Sequence, residues 1–169
     1  MRRISPGSPS PIRRPARPAE MGAQLAEIAW QSDGAFLSGR YSRRHEWRFD
    51  GGAIVTGSSA PAVVAAPMSD PAGVDPEEAL AASVASCHML WFLALAQQAG
   101  LDVASYRDRA EAELGRLASG RTAVTRITLR PDVAFAGPPP DEAELARLHH
   151  EAHERCFIAN SLNCEIVIA

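Results

Sequence analysis

The sequence predicts an α+β domain, and three patterns lead to that prediction. Short stretches that alternate apolar and polar residues, as strands do, lie near the start, in the middle and at the end of the chain. A stretch without charge over 79–96 predicts one long buried helix, and an amphipathic helical pattern follows residue 140. We therefore expect strands, a long helix, a hairpin, a second helix and a final strand, in that order.

Composition narrows the function classes. The 169 residues carry a formal net charge of −3, which argues against a partner that is a nucleic acid or an anionic membrane surface. The chain contains no lysine, so a Schiff base or a Walker-type phosphate site is excluded. Three cysteines are too few for a secreted disulfide scaffold and are typical of a reduced, cytoplasmic thiol protein.

Residues 1–20 differ in composition from the rest. They hold five arginines, five prolines and one glutamate, a net charge of +4, which leaves −7 on the remaining residues. They contain no apolar run that would serve as a signal peptide, and the prolines prevent the amphipathic helix of a transit peptide. We expect a disordered tail over 1–20 and a single domain over 21–169, with Met21 as a candidate for the true start.

Three predicted strands precede the long helix. Residues 23–31 predict a first strand, and residues 41–49 alternate so that Arg43 shares a face with His45, Trp47 and Phe49. The two large aromatic residues mark this face as inward, so Arg43 is expected to be half-buried. The segment is crowded with arginines, and the candidates for a site arginine are Arg40, Arg43, Arg44 and Arg48. Asp50-Gly51-Gly52 predicts a hairpin turn into a strand over 52–58.

The sequence DPEE at 75–78 predicts the start of the long helix. Asp75 suits the N-cap and Glu78 the capping box, which leaves Glu77 free for another role; Gly100 suits the C-terminal end. The helix is long enough to span a membrane, but its alanines, serines and Cys87 dilute the hydrophobicity, and no basic residues flank it. We expect it at the centre of a fold or of a dimer.

The second half of the chain predicts a hairpin, a helix and a strand. Residues 103–114 and 122–135 alternate and should pair as an antiparallel hairpin, with one charged, exposed face formed by Arg107, Arg109, Glu111 and Glu113. Asp141 and Glu144 predict a second capping box. The apolar stripe of the helix that follows consists of Leu145, Leu148, Ala152 and Cys156. The last residues, CEIVIA, predict a short final strand.

The cysteines allow two interpretations. Cys87 in the middle of an apolar helix reads most simply as a small buried hydrophobe, since burial raises the pKa of a thiol. To be reactive it needs a cation from elsewhere, and Arg43 is the best candidate. Cys156 points toward the first helix, so the two thiols could approach to disulfide distance or remain separate. Cys164, in the final strand, is expected to be structural.

A metal site is the rival hypothesis. His149, His153 and Cys156 lie within ~60° of one another around one helix face, and with Cys87 as a fourth ligand they would suit zinc. Pairs of histidines are common on solvated helix faces, however, and the chain has no second ligand cluster. The zinc module therefore ranks below a thiol function.

Three blocks of sequence resemble the OsmC/Ohr family of thiol peroxidases. They are DPEEALAASVASCHMLWFLALA around Cys87, HHEAHERCFIANS around Cys156 and, in support, YSRRHEWRFDGG near the start. The blocks occur in the order and at the spacing of the family, and the resemblance covers residue 21 to the C-terminus. CHMLWFL and CFIANS resemble a less-studied branch. His88 departs from the better-known branches, which carry an apolar residue there.

The resemblance implies an OsmC-like fold, in which antiparallel sheets wrap around a long central helix and two chains form an intertwined homodimer with its sites at the subunit interface. It implies a cytoplasmic, peroxiredoxin-like hydroperoxide reductase without metal or organic cofactor. Cys87 would become a sulfenic acid, and Cys156 would condense with it to a disulfide. Arg43 would hold the thiolate ionised and polarise the peroxide, and Glu77 would orient Arg43.

The resemblance also implies organic hydroperoxides as substrates and a dihydrolipoyl protein as reductant. Two alternatives stay open: the zinc-binding module of Cys87, His149, His153 and Cys156, and a non-enzymatic stress-response dimer with idle cysteines. Helix geometry adds a constraint, since ten residues of straight helix separate Glu77 and Cys87 by ~15 Å and roughly 80°. We therefore expect Glu77 to serve Cys87 of the partner subunit, or the helix to break between them.

Overall fold

The structure, a computed structural model, describes residues 22–169, and the tail expected over 1–20 lies outside the described residues. This part of the chain contains two α-helices, α1 (Pro76–Gln98) and α2 (Glu142–Arg155), and eight strands that form three sheets. The strands are β1 (Ala26–Ala29), β2 (His45–Phe49), β3 (Ile54–Gly57), β4 (Val103–Asp108), β5 (Glu111–Arg116), β6 (Thr122–Leu129), β7 (Pro131–Phe135) and β8 (Glu165–Ile168). The predicted order of elements is confirmed.

The first sheet is the antiparallel meander β1-β2-β3. Trp47 pairs with Ile28 on one side and with Val55 on the other. The predicted alternation is confirmed over most of the segment, because Arg43, His45 and Trp47 are half-buried and the residues between them are exposed. Phe49, expected on the inward face, is 39% exposed at the end of the strand.

Helix α1 begins and ends as the sequence predicts. The Asp75 carboxylate accepts from the Glu78 amide at 2.8 Å, and the Glu78 carboxylate accepts from the Asp75 amide at 3.2 Å, which completes the capping box. Gly100 follows the C-cap with φ +75°, a conformation that glycine adopts without strain. The helix is unbroken between these ends. By length and hydropathy (mean 1.8) it could cross a membrane, and 39% of that apolar window is buried within the one chain.

The two long strands predicted for the central hairpin are each divided, so that prediction was wrong in its continuity. β4 pairs with β7, and β5 pairs with β6. At the division the Arg130 amide donates to the Asp108 carboxylate at 2.7 Å instead of to a strand, and the next residue, Pro131, has no amide proton to donate. The charged face is confirmed as exposed. Strand β8 joins β6 in parallel, so the sheets are not entirely antiparallel.

Helix α2 packs against α1, and its apolar stripe is confirmed. Leu148 and Ala152 are buried against Phe92 and Leu95 of α1, and Cys156 forms the buried C-cap. The capping box predicted at the start of α2 is only half formed: the Asp141 carboxylate accepts from the Glu144 amide at 2.8 Å. The Glu144 carboxylate instead accepts from the Arg147 guanidinium, which competes successfully for it.

Two apolar clusters lie along α1. Phe92 packs with α2, β4 and β7, whereas Val84, about two turns earlier, packs with β5, β6 and β8. Cys87 and His88 lie between these clusters, on the part of α1 where the two groups of elements meet. The core therefore fixes this turn of the helix from both directions.

Gly57 pairs with His45 across β2 and β3, and its missing side chain leaves the space in which two rings meet. A Cβ atom there would lie 2.5 Å from both the His45 Nε2 and the Trp47 Nε1 atoms. We expect Gly57→Ala to lower the free energy of unfolding by about 1–3 kcal/mol, because the rings would have to move apart. Urea denaturation measures the effect. Gly51→Ala, with no atom within 4 Å of the added Cβ, is the matched control, and equal midpoints for the two variants would contradict the packing.

Candidate active site

Arg43 is held in place by the residues around it. Its Nη1 atom donates to the Tyr41 carbonyl at 2.5 Å, and its guanidinium carbon lies 3.7 Å from the centroid of the Tyr41 ring, a cation–π contact. The Trp47 indole donates to the His45 Nε2 atom at 2.6 Å. Since that nitrogen accepts, the proton of the neutral ring is on Nδ1, which donates to the Arg43 carbonyl at 2.8 Å. Both ends of Arg43 are therefore anchored.

Arg43 and Glu77 line one cavity of about 450 Å³. One part of its wall is aromatic, because Trp30, Phe36 and Tyr41 cluster there with ring centroids 5.0 to 5.7 Å apart. The described residues contain no ion pair between Arg43 and Glu77, whose carboxylate is half-buried at the first turn of α1. The structure thus brings the two predicted residues to one cavity, with an anchored cation and a nearby carboxylate in largely apolar surroundings.

Cys87 and Cys156 meet where α1 and the end of α2 pack together. The two thiols are free, and they are near enough to each other that Cys87 contributes to the raised pKa of Cys156. Burial raises the pKa of the Cys156 thiol to about 11, and the contact with Cys87 adds to the rise, whereas the Ala159 amide, which donates to the sulfur at 3.3 Å, opposes it. The structure makes Cys87 and Cys156 neighbours, and disulfide formation between them stays a prediction. Cys164 lies apart, packed in the cluster around Val84.

The thiols and the arginine lie apart within one chain. Helix α1 is unbroken between Glu77 and Cys87, so a break between them, one of the two arrangements expected, is excluded. The cavity that Arg43 and Glu77 line does not include Cys87. A single chain therefore carries two halves of the predicted residue set, one at the first turn of α1 and one near its middle.

A pair of histidines next to the thiols, His88 buried and His149 half-buried, was not predicted. The His88 Nε2 and His149 Nδ1 atoms are 3.1 Å apart with nearly parallel rings, and the His149 ring stacks on Phe92 with centroids 4.5 Å apart. His88 is 1% exposed, and burial lowers its pKa to about 4, with further lowering by His149 and His153. The sequence did contain one indication of this pair, since each helix has a histidine, His88 or His149, on the side that packs against the other helix.

The zinc set proposed from the sequence is not assembled. Among residues 22–169, no three side chains of histidine, cysteine, aspartate or glutamate converge as metal ligands. The His149 Nδ1 atom contacts His88 instead, and the Cys156 sulfur accepts from the Ala159 amide. The helical spacing that suggested a zinc site therefore serves the packing of α2 on α1.

Comparisons with known proteins agree with this fold. A family model described as OsmC-like protein matches residues 69–169. A solved structure of an OsmC-like protein of unknown function from Vibrio cholerae is 45% identical, covers 88% of this chain and 99% of its own, and superposes with a TM-score of 0.86. The chain belongs to the OsmC-like family. The expected fold class is thereby confirmed, and α1 is the core helix of a soluble fold rather than a membrane span.

More distant OsmC-like structures share the fold alone. An organic hydroperoxide resistance protein from Elizabethkingia anophelis is 15% identical with a TM-score of 0.67, over 89% of this chain and 98% of its own. The organic hydroperoxide resistance protein of Bacillus subtilis is 19% identical with a TM-score of 0.58, over 85% and 96%. No curated protein matches the chain.

The low pKa of His88 makes stability depend on pH. In the unfolded chain the imidazole takes up a proton as the pH falls through about 6.5, whereas in the folded protein it does so only near 4. The unfolded state therefore binds more protons between these values, and the free energy of unfolding falls as the pH is lowered across them. We expect a loss on the order of 2–3 kcal/mol between pH 7 and 4.5 from this group.

Urea denaturation at the two pH values measures this loss. His88→Gln, which has no titrating group, should lose less stability than the parent between pH 7 and 4.5. His150→Gln replaces an exposed histidine of the same helix pair and is the matched control. An identical loss for the parent and His88→Gln would show that His88 is not held neutral by burial.

Proposed function

We propose that this OsmC-like protein is a cysteine-based peroxidase that reduces organic hydroperoxides in the cytoplasm. The observation that carries the proposal is that the Cys87 and Cys156 thiols are neighbours where α1 and the end of α2 pack together. Membership of the OsmC-like family supports a redox or peroxide-resistance role. Two thiols in contact can form a disulfide without a large rearrangement, and this is the chemistry that removes an oxygen atom from a peroxide in two steps.

The proposed reaction balances with these residues alone and an external dithiol. The Cys87 thiolate attacks the terminal oxygen of the hydroperoxide, the O–O bond breaks, and the alkoxide leaves as an alcohol after it takes a proton. Cys87 is now a sulfenic acid, and the Cys156 thiol displaces its hydroxyl as water to form the disulfide. A dithiol reductant, which the family resemblance suggests is a dihydrolipoyl protein, then exchanges with this disulfide and restores both thiols.

Arg43 and Glu77 enter this proposal through a second copy of the chain. Proteins of the OsmC/Ohr family are typically dimers. In the single chain one side of α1 borders an open cavity of about 770 Å³ lined by small residues such as Ala81, Ala82 and Ala85. A partner seated against this side would cover it. We infer that the partner brings its cavity of Arg43 and Glu77 to the thiols, which the separation along α1 requires.

In this arrangement Arg43 supplies a cation beside the Cys87 thiolate. A guanidinium beside the sulfur stabilises the thiolate over the thiol, and its N–H groups can hydrogen-bond the peroxide oxygen that becomes the alkoxide. Glu77 at the rim of the same cavity would orient the guanidinium. The aromatic wall of Trp30, Phe36 and Tyr41 suits the apolar part of an organic hydroperoxide better than it suits hydrogen peroxide.

Peptide mapping under non-reducing conditions tests the proposed chemistry. We expect one equivalent of cumene hydroperoxide to produce a peptide that links Cys87 and Cys156, and to do so faster than hydrogen peroxide. The Cys164→Ser variant, which leaves both proposed thiols in place, should behave as the parent does. In Cys87→Ser the consumption of peroxide should stop. A Cys87 that stays a free thiol after treatment, or unchanged consumption by Cys87→Ser, would contradict the peroxidase and favour a non-enzymatic dimer.

Alkylation of Cys87 tests the role of Arg43. We expect Arg43→Ala to slow the reaction of Cys87 with iodoacetamide at neutral pH by about tenfold, because the thiolate loses its nearby cation. Arg44→Ala is the matched control, since the neighbouring guanidinium is exposed and paired with Asp70 at 2.6 Å. Equal rates for the Arg43→Ala variant and the parent would mean that Arg43 does not activate the thiol.

A further inference from the structure

The histidine pair links the two helices that carry the thiols. His88 directly follows Cys87 on α1, and His149 lies two turns before Cys156 on α2. We propose that His88 and His149 are positioning residues that hold α1 and α2 in the register at which the Cys87 and Cys156 thiols meet. The inference deepens the proposed function and rests on it, since the disulfide is the product of the proposed second step.

The apolar contacts between the helices do not fix this register alone. Phe92, Leu95, Leu148 and Ala152 bury surface between α1 and α2, and burial of apolar surface has no preferred direction. The hydrogen bond between the His88 Nε2 and His149 Nδ1 atoms, at 3.1 Å, is directional and weakens steeply when one helix moves along the other. Because Cys87 and His88 are neighbours on one rigid turn, a shift that breaks the hydrogen bond also separates the thiols.

The pair is costly to break because it is buried. The His88 Nδ1 atom has no partner in the described part of the chain, so Nε2 makes the one hydrogen bond of the ring. A shift that removed it would leave a buried imidazole with neither nitrogen satisfied, which costs on the order of tenfold or more in the population of the shifted state. A polar pair inside an apolar interface selects one register in this way.

The contact is one between two neutral rings. Burial lowers the pKa of both His88 and His149, so at pH 7 one imidazole donates and the other accepts. The titratable groups around the pair are His153 on α2, Tyr106 on β4, which packs on Phe92, and the two thiols. A neutral amide of the same reach should therefore replace either ring.

Substitutions at position 149 separate the hydrogen bond from the packing. His149→Phe keeps a ring to stack on Phe92 and removes the hydrogen bond. His149→Asn loses the stacking but places an amide where Nδ1 was, so it keeps the hydrogen bond. The same pair of changes on α1 is His88→Leu and His88→Gln, because the Gln amide reaches the place of Nε2. The two positions give independent tests if one variant does not fold.

The effective concentration of the thiols measures their positioning without peroxide. The folded protein, with Cys164→Ser in all variants, is equilibrated at pH 7 with reduced and oxidised dithiothreitol. Two thiols of the protein give their electrons to the oxidised reagent and form the Cys87–Cys156 disulfide. The equilibrium constant reports how closely the folded structure holds the two sulfurs.

We expect His149→Phe and His88→Leu to lower this constant at least tenfold, and His149→Asn and His88→Gln to keep it within threefold of the parent. A constant within threefold of the parent for the first two variants, or an equal loss in all four, would overturn the proposal. If cumene hydroperoxide fails to oxidise Cys87 while the constant responds as expected, the peroxidase fails and the positioning role stands. If Cys87 is oxidised and the constant does not respond, the positioning role fails and the peroxidase stands.

Discussion

The long apolar helix α1 is the constraint on which the rest of the structure depends. It carries no charge over residues 79–96, so every side of it must be covered to keep it out of water. α2 and the β4-β7 pair cover the side around Phe92, and the β5-β6-β8 sheet covers the side around Val84. The remaining side borders the larger of the two cavities, which is open in the described part of the chain. The other elements pack around this one helix, and we propose that a second chain covers the side that is left open.

The same helix separates the chemistry into two halves. Its capping box fixes Glu77 in the first turn, beside the cavity that Arg43 enters, and its continuity carries Cys87 away from them. Helix α2 packs on the part of α1 that holds Cys87, and it brings Cys156 and His149 there. We propose that the cation that activates Cys87 comes from the partner chain, which is why the proposed peroxidase is also a proposed dimer. The proposed dimer would therefore cover the open side of α1 and complete the site at the same time.

Much of the fold could be predicted because its signals are local. The capping box at Asp75, the glycine at position 100 and the alternation from Arg43 to Trp47 depend on neighbours within four residues. Predictions failed where a side chain forms a hydrogen bond with a partner that the neighbouring sequence does not indicate. Asp108 takes the Arg130 amide and divides a strand pair, and Glu144 binds Arg147 instead of closing its capping box.

The candidate site shows the same division. The spacing of apolar residues on α2 was enough to predict that Cys156 faces α1. The proposed role of Cys87 came from the resemblance of the sequence block around it. The histidine pair depends on which turns of two helices far apart in sequence come into contact, and the contact of Arg43 with the Tyr41 ring depends on the conformation of the irregular segment before β2. Neither of these two contacts can be predicted from the spacing of residues along the chain. Spacing also suggested a zinc set that the packing does not assemble.

The central claim is that each site takes its thiols from one subunit and its arginine from the other, and subunit complementation tests it most directly. Cys87→Ser and Arg43→Ala chains with different tags are co-expressed, and the dimer that carries both tags is purified and assayed with cumene hydroperoxide. The account predicts about half of the parent rate, because one of the two sites has both an intact Cys87 and an intact Arg43. A rate no higher than the mean of the two homodimeric variants would show that thiol and arginine act within one chain.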